Sequence, residues 1–566
     1  MQHRPSVADL VVHNAVLLPP PGVEFGPEVS ALAVSGGRIA AIGGDELMEL
    51  VGPDAIVLDA GGGLLTPGLD DAHTHVLAGG AWMQRLQLSG ATDLGELQRL
   101  IREYGAGTEG WVVGGGWSYP MIPGGLPTKE QLDAVVPDRP AFMVNADGHT
   151  SWVNSAALRL AGIDRYTPDP PDGEIHRDAA GEPTGALLER ASRLIHRVMP
   201  ERGTTDYESD LLSAMPALLA AGFTAVQDPR TYPYEVPGWT QVRDRGDLKL
   251  RSRLALMLEP GQSFADWYAT LDDHEELLGG FRDADWIDGG ILKCFVDGVV
   301  ETGTAAMLEP YADGGTGRAA FEPDELTAFV VEADRRGWQV QAHAIGDRAV
   351  RMALDAFEAA AERNGPWSGR QIRPGSARVR RHRLEHIEVT GPDDVRRIAQ
   401  LGVIASIQPL HACHDPGRVE SWVELLGAER TAWTWPMAQI LGAGGTIALG
   451  SDWPVVGYDP IGTLTAALTT SNYVGPAGPN AVTASKQVGP AGSNALTVRQ
   501  ALTAYTYGSA VAAYAEDRRG TLAVGKDADL TLFDRDLLSG EIAAAEVRAT
   551  IVAGSICHLN ETEGVR

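Results

Sequence analysis

The sequence predicts an α/β fold: a (β/α)8 TIM-like barrel joined to a small β-sandwich that both chain ends build. Three observations carry this expectation. Apolar strand-like runs alternate with helical stretches through the middle of the chain, which implies a parallel sheet with right-handed crossovers. Short strand-and-turn texture occupies both ends. Polar residues of metal-binding type stop the central apolar runs, where such a barrel places its active site.

The N-terminal end reads as follows. Ala8–Leu18 is one strand. Ser30–Val34 leads through Ser35-Gly36-Gly37 into Arg38–Gly43, and the Ser-Gly-Gly link signals a hairpin. The same texture returns in Gly520–Asp534 and Val547–Leu559. Residues 1–66 and 515–566 are therefore expected to form the composite sandwich, and 67–514 the barrel.

Within the middle, Leu211–Ala221 reads as a helix and Phe223–Asp228 as the next strand. The pairing repeats in Pro323–Arg336 with Trp338–His343, and in Pro392–Leu401 with Val403–Gln408. Two regions look like additions. Residues from about 100 to 205 are long, mixed and rich in Gly, Pro and Trp, and are expected to cap or flank the active-site mouth. Residues from about 472 to 496 repeat Val-Gly-Pro-Ala-Gly, which reads as a flexible surface loop, with a mobile lid as the alternative.

A chain of 566 residues suits one large catalytic domain plus a smaller one. The net charge of −29 repels phosphate backbones and argues against a nucleic-acid partner. The expected partner is a small-molecule substrate, and a homodimer is compatible with the fold class. Cys294, Cys413 and Cys557 are widely spaced with no Cys-x-x-Cys pair, so disulfides and thiolate metal sites are not expected. That usage fits a reducing, cytoplasmic setting. The N-terminus shows no long apolar run of the secretory kind. No uncharged apolar stretch of about 18 residues offers a membrane span.

The chemistry concentrates in Gly68–His75, which ends in His73-Thr74-His75. Histidines at i and i+2 share one side of a strand, which makes a chelating pair. Further along, Lys293 interrupts the apolar run Ile291–Val296, His343 and His386 each end a strand, and Asp452 ends Thr446–Ser451. Each has a plain structural reading. A lone strand-end histidine is more often a hydrogen-bonded core residue than a ligand. Asp452 before Trp-Pro also reads as a turn cap. Lys293 also reads as the buried partner of Asp297 or Glu301. Their order along successive strand ends favours a shared site.

These residues, together with Val144–His149, Trp152–Leu158, Gly185–Glu189, His343–Ala349, Gln408–His411 and Gly525–Leu530, resemble the amidohydrolase superfamily. Within it the resemblance is to the family 3 group, which includes N-substituted formamide deformylases, and it covers nearly the whole chain. The resemblance implies that His73 and His75 bind the more buried metal. It implies that Lys293, carboxylated by CO2, bridges two divalent ions through its carbamate. His343 and His386 would hold the second ion, and Asp452 would bind metal and move protons. Zn2+ is the default, and Mn2+, Fe2+ and Co2+ suit the same donors.

The implied reaction is hydrolysis of a C–N amide bond, of N-acyl or N-formyl amine type, by a metal-activated hydroxide. His149 is the candidate for substrate or oxyanion contact, Trp117 for lining the pocket or equally for packing within the inserted region, and His411 for a substrate or supporting role. Esters, lactones and carbamates are attacked by the same chemistry. A mononuclear deaminase of the same barrel is the alternative, although it would lack the lysine bridge. A non-catalytic binding protein on this scaffold conflicts with the full set of ligand types. The chain departs from the family pattern at Val482–Lys486, where relatives carry a threonine-arginine pair.

Overall fold

A computed structural model describes residues 7–146, 148–170, 173–259, 261–283, 285–377, 379–413, 422, 424–431, 433–469 and 494–560. The Gly/Pro-rich stretch 472–493, including Val482–Lys486, lies outside the described residues, as do Asp147 and His414.

Eight parallel strands form one sheet in chain order: β1 (Leu69–Asp71), β2 (Phe223–Thr231), β3 (Arg251–Met257), β4 (Ile287–Phe295), β5 (Gln339–Ala344), β6 (Arg383–His386), β7 (Ile404–Ile407) and β8 (Thr446–Leu449). The backbone seam between β1 and β8 is bridged just past the strand ends. The Ala72 N–H donates to the Leu449 carbonyl at 3.0 Å, and the Asp452 N–H to the His73 carbonyl at 2.6 Å. Gly450 permits this approach, because a Cβ there would lie 2.6 Å from the His73 nitrogen. The sheet is therefore a nearly closed (β/α)8 barrel. Its strands are buried on both faces, and several carry buried polar side chains, among them Gln227, Arg253, Lys293, Gln339 and Gln341.

The expected helix–strand pairs appear with small shifts: Thr204–Ala220 before β2, Pro323–Arg335 before β5 and Pro392–Gln400 before β7. Alternation of apolar positions sets these elements, and Gly222, Gly337 and Gly402 stand between helix and strand with positive φ, as helix C-termini prefer.

The sandwich joins a four-stranded and a five-stranded sheet. The first holds Ala8–His13, Ala31–Ser35, Arg38–Gly43 and Val51–Asp59. The second holds Val16–Leu17 and Leu64–Pro67 from the N-terminal end, with Leu530–Phe533, Val547–Val552 and Ser555–Leu559 from the C-terminal end. Leu10, Val12, Leu32, Leu58, Leu65, Leu530, Leu532 and Ile551 pack together between them. The turn at Gly36-Gly37, φ 57° and 74°, is the two-residue hairpin read from the sequence. Ala8–Leu18 is not one strand. Asn14, at φ 53°, turns the chain, so its two halves serve different sheets.

The chain divides into two compact units: residues 1–76 with 214–566, and residues 77–213. The second unit begins ahead of the insertion expected near residue 100. It carries a six-stranded mixed sheet in the order Gly173–Arg177, Pro183–Glu189, Thr150–Val153, Ala141–Asn145, Val112–Trp117, Leu86–Gln87. Among the described residues, no helix is long and apolar enough to cross a membrane.

Candidate metal centre

The C-terminal ends of the barrel strands gather five histidines, a lysine and several carboxylates, nearly all buried. His73 and His75 lie just past β1 rather than within it, yet both turn to the same oxygen. Asp452 Oδ1 stands 3.4 Å from His73 Nε2 and 3.0 Å from His75 Nε2. His386 completes the group: one ligand atom from each of His73, His386 and Asp452 lies within 4.8 Å of the others. The His343 ring packs against the His386 ring at 4.6 Å between centroids. Lys293, on β4, is 1% exposed and lies with its Nζ 5.0 Å from the Phe295 ring centroid.

Backbone strain aims two of these side chains. His386, Ile387 and Asp452 take φ values of 75°, 49° and 60°. Non-glycine residues avoid this region, the β-branched isoleucine most of all. Each costs on the order of 1–3 kcal/mol and persists only where the surroundings impose it. Hydrogen bonds impose it here. The Ile387 N–H donates to the Ala344 carbonyl at 3.1 Å and the Val389 N–H to the Ile345 carbonyl at 2.9 Å.

Each of three inward-facing histidines has its Nδ1 against a buried acid. His73 Nδ1 meets Glu385 Oε2 at 2.5 Å, His343 Nδ1 meets Asp297 Oδ1 at 3.2 Å, and His411 Nδ1 meets Glu388 Oε1 at 2.9 Å. A carboxylate on one ring nitrogen fixes the ring and leaves the other nitrogen for a metal. Glu385 is itself anchored by Arg383, whose guanidinium also reaches Gln227, the Ala72 carbonyl and Ser406. Asp297 additionally accepts the Ala306, Ile345 and Gly346 N–H groups. None of these supporting acids stood out in the sequence as part of the site. Their only signal was an acid one or two residues from a strand-end histidine, in Glu385-His386-Ile387-Glu388.

Electrostatics leaves the donors in ligand-ready form. Burial pulls the His75 imidazole down to about 4, against Asp452 beside it. Burial, with His343 and His73 nearby, holds His386 well below the usual histidine range. Burial alone would raise Asp452, but His73 and His75 hold its carboxyl well below the usual carboxylate range. Burial likewise works against the Glu385 carboxylate, and Arg383 and His73 outweigh it. Burial draws the Lys293 amine down to about 8, against the pull of Glu385 and Asp452. Neutral imidazoles and ionised carboxylates are the forms that bind metal.

The donor set fits a divalent cation. Ligand atoms about 2.0–2.2 Å from one tetrahedral ion stand about 3.3–3.6 Å apart, close to the spacing around Asp452 Oδ1. His386 Nδ1 is buried without a hydrogen-bond partner, a costly state for a polar atom unless something else satisfies it.

A model of the amidohydrolase family matches residues 57–558. The chain belongs to the amidohydrolase family. It is 30% identical to Protein LONG AFTER FAR-RED 3 of Arabidopsis thaliana over 97% of this chain and 91% of that one. It is 29% identical to the N-substituted formamide deformylase of Arthrobacter pascens, over 93% and 94% of the two chains. Its fold is similar to that of an uncharacterized metal-dependent hydrolase from Pyrococcus furiosus, with a TM-score of 0.73, 26% identity, and coverage of 94% and 99%. This amidohydrolase is a metal-dependent hydrolase, of the class that acts on carbon–nitrogen bonds.

The other two candidates of this amidohydrolase fall in its second unit. Trp117 is fully buried there, edge-on to Trp152 and Tyr119, with its indole N–H donating to the Met143 carbonyl at 3.1 Å. That is a packing position rather than a pocket wall. An indole with no exposed surface and a satisfied N–H offers nothing to a substrate. His149 is half-exposed, and its Nδ1 stands 3.1 Å from both oxygens of Glu189. Cys294, beside Lys293, has its thiol pushed up to about 12 by burial and is inert.

Proposed function

We propose that this amidohydrolase cleaves the C–N bond of an N-formyl or N-acyl amine, with Asp452 carrying the proton. The observation that supports this reading most directly is the setting of Asp452. Its Oδ1 faces His73 and His75, and its Oδ2 stands 3.5 Å from His411 Nε2. One carboxylate therefore touches the proposed ligands on one side and has a second oxygen to accept a proton on the other. Held in ionised form, Asp452 takes a proton from the attacking water and delivers it to the leaving amine. The formamide deformylase relative favours an N-formyl or N-acyl substrate over an ester.

The residues proposed to hold metal are His73, His75, Lys293, His343, His386 and Asp452, with two zinc ions as the default load. Bound there, a divalent ion would bring the pKa of water towards 7 and polarise the acyl oxygen. The lowered Lys293 amine is suited to add CO2 and release a proton, giving a carbamate with two anionic oxygens. Glu385 and Asp297 keep His73 and His343 in register. His149 is the residue proposed to contact the substrate.

A panel of N-formyl amines, N-acyl amines and matching esters, read by free amine or alcohol, tests the reading. Metal-loaded protein should release amine, and Asp452→Asn should lower turnover by about 10²–10⁴-fold. Hydrolysis of esters alone, or release of ammonia from an aminated ring in its place, would replace the reading with an esterase or deaminase one.

A further inference from the structure

Behind the ligands already named, a second group of donors converges. One ligand atom from each of His386, Glu388 and His411 lies within 4.8 Å of the others. All three are nearly sequestered, at 3%, 1% and 6% exposed. Glu388 sits two residues past His386, beyond the two left-handed residues His386 and Ile387. Its backbone is pinned, since the Trp435 N–H donates to the Glu388 carbonyl at 3.2 Å. His411 comes from the short helix Leu410–Cys413 that follows β7. Its ring stacks on that of His386 with centroids 5.7 Å apart and planes at 14°.

One oxygen of Glu388 receives His411 Nδ1 at 2.9 Å, while Oε2 is buried with no hydrogen-bond partner. His386 Nδ1 is buried and unpartnered as well. A carboxylate oxygen shut away from water needs a proton, a donor or a cation. Among the described residues, no lysine or arginine pairs with Glu388.

We propose that His386, Glu388 and His411 form an additional seat for a divalent transition cation. It shares His386 with the ligands proposed above and adds Glu388 and His411, which that set does not use. Two nitrogens and one carboxylate oxygen suit Zn2+, Co2+ or Mn2+ rather than Ca2+ or Mg2+. Side chains within 4.8 Å need to close by only about 1–1.5 Å to share one ion. A cation here draws on His386 and stands beside the His411–Asp452 contact, so it would compete with the first seat and inhibit at excess metal.

The proposal rests on this protein binding metal and not on the substrate assigned above. The test therefore reads metal and not turnover. Crystals of the full chain soaked in Zn2+ are measured at the zinc absorption edge, for the parent and for Glu388→Gln. The expected result is an anomalous peak about 2.0–2.2 Å from Glu388 and from a nitrogen of His386 and of His411. In Glu388→Gln that peak is lost and the one beside His73 and Asp452 remains. Equilibrium dialysis with Zn2+ should show the same loss of one ion per chain in solution, for Glu388→Gln and for His411→Asn, with unchanged melting. No peak at this seat at saturating Zn2+, or a peak of equal height in Glu388→Gln, would overturn it.

Discussion

Glu385 Oε2 lies 2.5 Å from His73 Nδ1, and both side chains are at most 1% exposed. The two residues are 312 positions apart in the chain. The contact turns His73 Nε2 towards Asp452 and couples the first proposed ligand to the Arg383 network across the barrel. Glu385→Gln should lower metal affinity about 10–100-fold, the usual effect of losing a carboxylate behind a ligand. It also leaves Arg383 without its buried partner, at a cost of about 3–5 kcal/mol. Competition with a chelator measures the first effect and denaturant unfolding the second.

Lys293→Ala should reduce the bound metal from about two ions per chain to one or none, as expected if its carbamate joins a two-metal site. Chelated parent protein should regain metal more slowly in CO2-depleted buffer than with added bicarbonate. Equal metal content in both proteins, with no bicarbonate effect, would remove the carbamate from the mechanism.

Acid sensitivity should come partly from Asp334. Burial would raise its carboxyl, but hydrogen bonds from His382 and Arg380 bring it down to about 2. Its folded value lies below its ordinary one, so its stabilisation is present above about pH 4 and is lost as the pH falls towards 2. The shift is worth about 2 kcal/mol. Asp334→Asn should unfold more easily at neutral pH and show a flatter decline of stability between about pH 4 and 2, read by denaturant melts across that window.

Trp117→Ala should cost about 3–5 kcal/mol, the price of a large buried void. The Michaelis constant for substrate should stay near that of the parent at temperatures where the protein is folded. A raised Michaelis constant with unchanged melting would return Trp117 to the substrate site.

The barrel was legible where short apolar stretches run into one out-of-place polar group. Lys293 amid Ile291, Leu292 and Phe295, and His343 after Val340 and Ala342, announce themselves in this way. The acids behind the histidines were not legible. Glu385, Asp297 and Glu388 act through contacts with residues 312, 46 and 23 positions away, and beyond the acids flanking His386 no local pattern encodes them. The left-handed turns at His386, Ile387 and Asp452 were hidden for a related reason. They are imposed by neighbouring strands on residues that do not prefer them, whereas the Gly36-Gly37 turn is written in its own residues. Trp117 falls in the Gly-, Pro- and Trp-rich stretch expected at the active-site mouth, but Val112–Trp117 is an inner strand whose glycines admit Trp82 and Leu86.

The most direct test of the central claim is the metal content of purified protein, by mass spectrometry, for the parent beside His73→Asn and Asp452→Asn. The claim is that the C-terminal end of this barrel holds divalent metal through His73, His386 and Asp452. The parent should carry about one to two transition-metal ions per chain, and each variant should lose at least one while remaining folded. A full metal load in both variants, or a folded parent that takes up none from excess Zn2+, would contradict it.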